Sequence, residues 1–316
     1  MSIVDTSAVK NISTLDSVHE RVAVMARKYH DELVPVKKIS FERFSHVTIG
    51  KDEYPLSPIA QSALSNRLGI PMQYLKRCPD GLASLNLNYW TTKERNEKLF
   101  FRFDEGKVRA VFTPKYQPMD NLEILELLIA IGYSPFQKVQ CHLDEEFMSL
   151  NLLNEGDGFS VKGDAFTPGI SISNSEVGLA SVSVAAFCLR LVCTNGLVSK
   201  TQVSESYKHI SRKLFNDFPN VLNKVSAELQ TQKKQFAIAM NSPVADMAQS
   251  LNKFSARYQL KEAEMLAIDW AIPFENGETM FDLINIYTKA SQMAGLSAES
   301  RFRLQKAGGQ ILAMVA

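Results

Sequence analysis

The stretch that decides the fold is GISISNSEVGLASVSVAAFCLRLVCTNGLVSK, residues 169–200. Apolar residues recur in it with a period of two, which is typical of a β-strand, and they are Val182, Val184, Phe187, Leu189 and Leu191. The phase changes at Ala185-Ala186, which indicates a bulge or a break in the strand. Arg190 lies inside the apolar run and needs a partner, unless it points out of the sheet. We therefore predict a core strand followed by a turn at Asn195-Gly196, a pair that tolerates positive φ.

Composition indicates an ordinary globular protein. Of the 316 residues, 45% are apolar and 22% are charged, and the formal net charge is +1. This charge excludes nucleic-acid binding through overall positive charge, but it allows a local basic patch. The N-terminus lacks a basic region followed by an apolar one, and the apolar run at 179–193 falls short of the roughly 18 residues of a membrane span. We expect a cytoplasmic protein with no membrane partner.

Familiar cofactor motifs do not occur in the sequence. The four cysteines form no CxxC pair, which disfavours disulfides and a zinc site. No GxxxxGK phosphate loop occurs, so ATP binding has no support. We expect no cofactor and no metal, and a binding protein rather than an enzyme.

Helices and short strands are predicted for the first 80 residues. Apolar spacing predicts a helix over residues 14–34 that ends at Pro35, and an imperfect strand over 39–50. Ser57-Pro58 starts a further helix that stops at Gly69, and a short helix follows over 71–77. These two helices have the spacing of a helix-turn-helix, but a helical hairpin that packs on a sheet explains the same residues.

Strands dominate residues 85–200 and helices dominate the remainder. LNLNYW at 85–90 predicts a strand, a charged turn follows, and residues 99–116 predict a two-stranded ribbon that turns at Asp104-Glu105-Gly106. A helix is predicted over 121–131 and a capping box at Thr279 to Asp282. Further strands are predicted at 136–142, 147–153, 159–161 and 170–173, and C-terminal helices at 221–240, 244–258, 261–270, 280–293 and 298–304.

These elements predict an α+β fold. We expect a mixed, mainly antiparallel sheet with helices on one face, followed by a helical C-terminal region. The expected parts are an N-terminal helical arm at 1–39, an α+β core at 40–205 and helices at 206–316.

Several short phrases occur in an order that matches a known family. They are RLGIP at 67–71, LNLN at 85–88, VRAV at 108–111, RLVCTNG at 190–196 and AG at 307–308, with His209 after the fourth. On these phrases the chain resembles, over most of residues 40–310, the phage- and plasmid-borne family known as domain of unknown function 932. The resemblance implies an origin on a mobile genetic element, near replication, recombination or anti-restriction genes. It implies no activity and carries over no catalytic residue.

A set of mostly basic residues forms our candidate nucleic-acid interface. The set is Arg102, Lys107, Arg109, Lys115, Tyr116, Arg190, Asn195, Lys200, Lys208, His209, Arg212 and Lys213. If the ribbon neighbours the segment 190–213, these side chains line one groove along a phosphate backbone. Aromatic residues interleave with them, as stacking of unpaired bases requires, and they are Tyr89, Trp90, Phe100, Tyr116 and Tyr207. Alternatively, the arginines pair with carboxylates such as Asp104, Glu105 and Asp120, and the rings belong to the core.

Catalysis and assembly have weaker signals. His142 with Asp144-Glu145-Glu146 suggests a divalent-metal nuclease, although a run of acids is more typical of a solvated turn. Cys193 and His209 suggest a nucleophile and its base, although thiols after an apolar run are usually structural. A near-heptad stripe either packs on its own domain or joins protomers, and it consists of Leu222, Val225, Leu229, Phe236 and Met240.

We therefore predict a single-stranded DNA-binding protein of a phage or plasmid that acts in recombination or replication. We also expect a homo-oligomer, because repeated subunits along a strand would compensate for the low net charge of each chain. The alternative is a protein-interaction module that antagonises a host defence system by binding a host protein. A metal-dependent nuclease is the third possibility.

Overall fold

The computed structural model describes residues 12–190, 195–198, 233–275 and 277–315. The chain divides into two compact units. The smaller unit consists of Glu20–Leu122 and Glu176–Gly178, and the larger unit of Met1–His19, Glu123–Ser175 and Leu179–Ala316. The α+β fold class, with antiparallel sheets and a helical C-terminal region, is confirmed. The three-part division at residues 39 and 205 stays a prediction.

The smaller unit contains two three-stranded antiparallel sheets, in the orders β2-β6-β7 and β3-β4-β5. Their bounds are Tyr29–Pro35 for β2, Ile39–Ser40 for β3, His46–Ile49 for β4, Asp52–Pro55 for β5, Lys98–Asp104 for β6 and Lys107–Phe112 for β7. The predicted ribbon is thus confirmed as the β6–β7 hairpin. Strand β2, which the sequence did not predict, pairs with β6 as a third strand. Leu99, Phe101 and Val108 from this sheet lie in the buried core of the unit.

Three helices of the smaller unit follow one another along the chain. They are α2 at Pro58–Leu68, α3 at Met72–Arg77 and α4 at Asp80–Thr91. Ser57 caps α2 by accepting from the Ala60 N–H, and Gly69 ends the helix with a left-handed φ of 69°. α2 contacts strand β7 as well as α3, so these helices form the hairpin that packs on a sheet.

The larger unit is built on a seven-stranded antiparallel sheet. Six strands follow the order β1-β8-β9-β11-β12-β13, and β10 pairs with β11. Their bounds are Ile12–Thr14 for β1, Lys138–Leu143 for β8, Met148–Leu153 for β9, Phe159–Val161 for β10, Asp164–Asn174 for β11, Ser183–Arg190 for β12 and Asn195–Val198 for β13. The central pair, β11 with β12, comes from the stretch quoted first, and its register places Ile170 opposite Ala186.

The remaining helices include four near the C-terminus. Their bounds are Leu15–Ala26 for α1, Asn121–Ala130 for α5, Met247–Arg257 for α6, Glu262–Ala271 for α7, Met280–Ala290 for α8 and Ala298–Leu312 for α9. Residues 233–239 are also helical. The capping box at Thr279 and Asp282 is confirmed. Phe236 packs in the core of the larger unit with Phe166 and Phe281, whereas Leu222, Val225 and Leu229 of the predicted stripe lie outside the described residues.

Two predictions about the first hundred residues are wrong. The helix predicted over 14–34 ends at Ala26, and Tyr29–Pro35 is a strand, because its backbone pairs with β6 from Asp104 to Lys98. LNLNYW at 85–90 is helical, because Ala83, Leu87 and Thr91 recur every four residues and form the buried face of α4. Within residues 85–90 the apolar side chains alternate with a period of two, but over the longer segment 83–91 the buried residues recur with a period of four.

The predicted turn at Asn195-Gly196 is also wrong. These residues begin β13, where Asn195 lies opposite Arg190 and Gly196 opposite Leu189. Residues 191–194, between β12 and β13, lie outside the described part of the chain. The single predicted sheet is likewise replaced by three, because β2 to β7 pair only among themselves in the described residues.

Candidate nucleic-acid interface

Arg102, from the predicted interface, is a buried residue of the smaller unit with 1% exposure. Its Nε donates to Asp31 at 2.9 Å, and its terminal nitrogens donate to the Asp120 carboxylate and to the Glu176 carbonyl oxygen. Burial lowers the pKa of Arg102, but Asp120 and Asp31 raise it by more, so the pKa lies above its ordinary value. The guanidinium is thus a structural ion held by two carboxylates.

Arg109 is the second buried arginine of the ribbon, with 6% exposure. Its Nη1 lies 2.8 Å from the Glu176 carboxylate, and its guanidinium lies over the Tyr29 ring at 3.6 Å from the centroid. The Glu176 contact is an ion pair by distance, and within the described residues the Arg109 guanidinium makes no hydrogen bond. Glu176 also accepts from the Asn121 N–H at 2.7 Å. These contacts assign Arg109 to a packed ionic cluster.

Tyr116 belongs to an aromatic stack in the same unit. Its ring lies 3.8 Å from that of Phe112 and nearly parallel to it, and Phe100 lies 5.5 Å away. Burial is the main cause that raises the pKa of Tyr116, to about 12, so the hydroxyl is neutral at physiological pH. Arg102 and Arg109 therefore pair with carboxylates, and Tyr116 packs against other rings. These three residues fit the alternative interpretation of the sequence.

The rest of the predicted interface is divided between the units. Lys107 and Lys115 are exposed in the smaller unit. Arg190, in the larger unit, lies 3.0 Å from the Asp164 carboxylate and 3.3 Å from that of Glu275, and its guanidinium lies over the Phe281 ring. Asn195 is described only by its backbone in β13, and the residues outside the described part are Lys200, Lys208, His209, Arg212 and Lys213.

The acidic run of the nuclease hypothesis forms a structured turn. The Asp144 carboxylate accepts from the backbone N–H groups of Glu146, Phe147 and Ala298, at 2.8 to 3.0 Å. Within the described residues, no three His, Cys, Asp or Glu side chains come close enough together to hold a metal ion. Cys193 and His209 lie outside the described residues. Asp144 therefore serves to cap the start of α9 and to close the β8–β9 turn.

His142 is a buried side chain on β8, opposite Ser149 of β9. Burial, with a further contribution from the charge of Arg301, lowers the pKa of His142 from 6.5 to about 4. The folded chain therefore binds the proton less readily than the unfolded chain. The stability that neutral His142 contributes is present above pH 6.5 and is lost as the pH falls toward 4.

We expect the free energy of unfolding to fall by about 2 kcal/mol between pH 7 and pH 5 through His142 alone. Urea unfolding of the parent and of His142→Gln at both pH values measures this contribution. Because glutamine does not titrate, the variant should lose correspondingly less stability on acidification. Equal losses in the two proteins would show that His142 does not remain neutral in the folded state.

A cleft of about 530 Å³ lies in the smaller unit where two helices end. Its walls come from the C-terminal ends of α2 and α4 and from the loop that leads into β6. The lining residues are Arg67, Leu68, Gly69, Trp90, Lys93, Glu94, Arg95 and Asn96. The volume falls within the ~300–1,000 Å³ typical of small-molecule sites. Lys93 and Arg95 are exposed, so two of the lining side chains are cations in contact with solvent.

Trp90 is held in the cleft by a well-anchored helix while much of its side chain meets solvent. The exposed fraction is 45%, and the ring of Tyr89 contacts it edge-on at 5.4 Å. α4 is fixed two residues earlier, because the Asn88 side-chain amide accepts from the N–H of Phe41 and donates to its carbonyl oxygen, both at 2.8 Å. The indole is therefore a positioned, partly uncovered aromatic surface.

Glu94 organises the polar wall of the cleft. One carboxylate oxygen lies 3.4 Å from Nη1 of Arg67, and the other accepts from the backbone N–H and the side-chain amide of Asn96 at 3.0 and 2.8 Å. Burial raises the pKa of Glu94, but the hydrogen bonds from Asn96 and the charge of Arg67 lower it by more. The carboxylate is ionised at neutral pH, and with 6% of its side chain exposed it serves to fix Arg67 and Asn96 in the wall of the cleft.

Most of the residues of this cleft were absent from the candidate interface drawn from the sequence. The prediction includes Trp90 and Tyr89 as aromatic neighbours, but it assigns Arg67 to a helix end and Lys93 and Arg95 to a charged turn. The available signal was the sequence WTTKER at 90–95, which places an indole within five residues of two cations. Arg67 comes from a different helix, so no local sequence pattern predicts that it lines this cleft.

Comparisons with protein-family models, with curated proteins and with solved structures find no match for this chain. The resemblance to a family of phages and plasmids stays a prediction. Among the described residues, no helix is both long enough and apolar enough to cross a membrane. The cleft around Trp90 and the chemistry of its walls are therefore the basis of the functional proposal.

Proposed function

We propose that this protein binds single-stranded nucleic acid, and that an unpaired base stacks on Trp90 in the cleft of the smaller unit. The observation that carries the proposal is the placement of one partly exposed indole with Arg67, Lys93 and Arg95 around a cleft of about 530 Å³. Stacking of a base on an aromatic side chain contributes ~1–3 kcal/mol, and neighbouring cations neutralise phosphates. Both terms act on single strands of any sequence.

Local charge supports this placement. Residues 67–98 contain six lysines and arginines against three aspartates and glutamates, whereas the whole chain has 35 against 34. A single strand fits better than a duplex, because the faces of paired bases are covered by their neighbours in the stack. The proposal does not rest on Arg102, Arg109 or Arg190, since each of them is paired with carboxylates.

The biological process is proposed from the sequence resemblance and not from the cleft. The resemblance to a phage- and plasmid-borne family supports DNA as the strand and recombination or replication as the process. Assembly of several copies along one strand would compensate for the low net charge of each chain. Size measurement by light scattering, with and without a long single strand, tests that assembly.

Fluorescence of a single tryptophan tests the binding site directly. The chain has two tryptophans, so Trp270→Phe leaves Trp90 as the only one, and Trp270 lies in the other unit. Titration of this variant with single-stranded oligonucleotides is expected to quench Trp90, with a weaker effect from the matching duplex. Absence of quenching together with absence of binding by fluorescence polarisation would overturn the proposal.

Salt dependence gives a separate expected result. Replacing Lys93 and Arg95 together with glutamine should reduce the slope of log affinity against log salt by about 1.4, because each cation that neutralises a phosphate on a single strand contributes ~0.7. Polarisation titrations at several salt concentrations measure the slope. The matched control is Lys37→Gln with Lys38→Gln, which removes two exposed cations of the same unit outside the cleft. An equal change of slope in both double variants would contradict a specific role for the cleft.

A protein-interaction module is the second candidate, and one observation favours it. Leu82, Leu85 and Tyr89 form an exposed stripe along α4, and Leu85 is 70% exposed. A host protein that covers this stripe would fit the antagonist of a defence system. Leu85→Lys separates the two functions, because it should leave oligonucleotide affinity within about twofold while abolishing contact with such a protein.

A further inference from the structure

The seven-stranded sheet of the larger unit has a face that is both polar and buried. Residues 148–153 of β9 read MSLNLL, and residues 170–173 of β11 read ISIS. Such alternation is typical of an antiparallel sheet with one face in the core and the other in solvent. Here both faces are buried, because none of these ten residues is more than 8% exposed. The side chains on the polar side are called the polar face, and they are Gln140, His142, Ser149, Asn151, Ser171 and Ser173.

The register of the strands brings four of these side chains together. Ser149 lies opposite Ser173, and Asn151 lies opposite Ser171, so both pairs project from the same face of the sheet. Residues directly opposite on antiparallel strands have Cβ atoms ~4.5–5.5 Å apart, and residues two apart on one strand are separated by ~7 Å. The four polar groups therefore border one small area of the sheet.

Helix α9 packs on this side of the sheet. Phe302 of α9 belongs to one buried cluster with Leu153 and Ala185. Leu153 comes two residues after Asn151 on β9, and Ala185 lies opposite Ser171, so both lie on the same side of the sheet as the polar face. The polar face is therefore covered by a helix, although its sequence pattern is typical of a face that meets solvent.

Four atoms of the polar face have no hydrogen-bond partner within the described part of the protein. They are the Oγ atoms of Ser149, Ser171 and Ser173 and the Oδ1 atom of Asn151. The Asn151 amide nitrogen donates to Oε1 of Gln140 at 3.1 Å, so its oxygen is the part that is left over. Burial of a hydroxyl or amide without a partner is costly, and such groups in folded proteins bond to ordered water when no protein group reaches them.

Water fits these four groups better than an ion does. A buried charge requires an opposite charge nearby, and none of the six side chains of the polar face carries a charge at pH 7, since His142 is neutral there. A cation is further disfavoured by the positive charge of Arg301, which acts on His142. An anion requires donors, whereas Asn151 presents an acceptor. Water both donates and accepts, as the serine hydroxyls do.

We propose that the polar face is a binding site for ordered water, held between the sheet and α9 as a permanent part of the larger unit. A water molecule that donates to Oδ1 of Asn151 accepts from the Ser171 hydroxyl, and a second one bridges Ser149 to Ser173. The competing arrangement is dry, with the hydroxyls of Ser149 and Ser173 bonded to each other across the strands. The site belongs to the larger unit, so it does not depend on the function proposed for the cleft.

Oxygen-17 magnetic relaxation dispersion of water tests the site directly, because its amplitude reports water molecules that remain inside a protein while it tumbles. The triple variant Ser149→Ala, Ser171→Ala and Ser173→Ala is expected to lose the signal of about one or two such molecules, since methyl groups do not hold water. Ser65→Ala is the matched control, because this buried hydroxyl donates directly to the Ile70 carbonyl oxygen and its loss should leave the signal unchanged. Equal signals in the parent and the triple variant would overturn the proposal. If the triple variant does not fold, the double variant Ser149→Ala with Ser173→Ala replaces it, with the same two outcomes.

Thermal unfolding of the single variants tests the proposal by the sign of the change. If water bonds to Ser149 and Ser173, replacement of either by alanine removes a satisfied hydroxyl and should lower the midpoint by about 2–4 °C. If the hydroxyls are buried without any partner, the same replacement removes an uncompensated polar group and should raise the midpoint. A rise in both single variants would therefore refute the bound water. The dry arrangement also predicts a fall, and the relaxation signal then distinguishes it from the hydrated one.

Discussion

Replacement of Glu176 by glutamine is expected to lower the free energy of unfolding by about 3 kcal/mol, the largest loss that we expect from one change of charge in this chain. Glu176 and Arg109 form an ion pair in which each side chain is 7% exposed. Glutamine keeps the size of the side chain and an oxygen for the Asn121 N–H, so the change isolates the lost charge. Arg109 would then be a buried cation without a counter-ion.

Burial makes this effect large. A buried ion pair contributes little compared with an apolar replacement, but removal of one partner leaves the desolvation cost of the other uncompensated. The Tyr29 ring beneath the guanidinium replaces only part of the lost attraction. Arg102 is a weaker test, because its partners Asp31 and Asp120 are partly exposed and water can take over their solvation.

Urea unfolding of the whole chain measures the loss. Glu53→Gln is the control, because its pair with Arg43 is exposed and should contribute less than about 1 kcal/mol. A double variant, Arg109→Met with Glu176→Gln, should recover most of the stability, since it removes the unpaired cation. A loss below about 1 kcal/mol in Glu176→Gln would mean that Arg109 reaches water, and would return it to the list of residues available to a ligand.

The contacts of Arg102 and Arg109 show why two arginines of the predicted interface are buried. In sequence, an arginine that alternates with apolar residues on a strand looks the same whether it faces a ligand or a buried carboxylate. Of the partners of Arg102, only Asp120 lies nearby, 18 residues after it, whereas Asp31 lies 71 residues before it and Glu176 lies 74 residues after it. No local pattern links these positions. The alternation of apolar residues correctly predicts the hairpin. It does not predict which face of the hairpin is buried, because strand β2 and the segment Glu176–Gly178 cover that face and are distant in sequence.

Much of the local structure was predictable because its causes are local. Ser57 with Gly69 bounded α2, Thr279 with Asp282 bounded α8, and the Glu105-Gly106 turn joined β6 to β7. Tyr29–Pro35 failed because its strand conformation depends on pairing with β6, about 70 residues away. Division into three sheets likewise depends on long-range pairing that a period of two does not encode.

The cleft was only half visible in the sequence. Trp90 and Tyr89 could be identified as rings near cations, but the prediction of a strand placed them on opposite faces of a sheet. In the helix they are adjacent at its last turn, with Lys93 within 5.4 Å of the Tyr89 ring. Arg67 joins them because α2 and α4 end near each other, and this depends on how the helices pack.

Replacement of Trp90 by alanine is expected to weaken binding of single-stranded oligonucleotides by about 10- to 100-fold, the largest effect on affinity that we expect. The indole supplies the stacking surface, whereas each exposed cation of the cleft contributes a screened contact to a phosphate. Trp90→Phe keeps a smaller ring and should lose less affinity. Polarisation titrations with one labelled oligonucleotide at fixed salt compare the three proteins.

Trp270→Ala is the matched control, because Trp270 is also partly exposed but lies in the larger unit. Its affinity should stay within about twofold of the parent. Since Trp90 is 45% exposed, its truncation should cost little stability, and thermal unfolding of each variant checks this. If Trp90→Ala is folded and binds as tightly as the parent, the base does not stack on this indole. Strand binding would then have to occur on another surface.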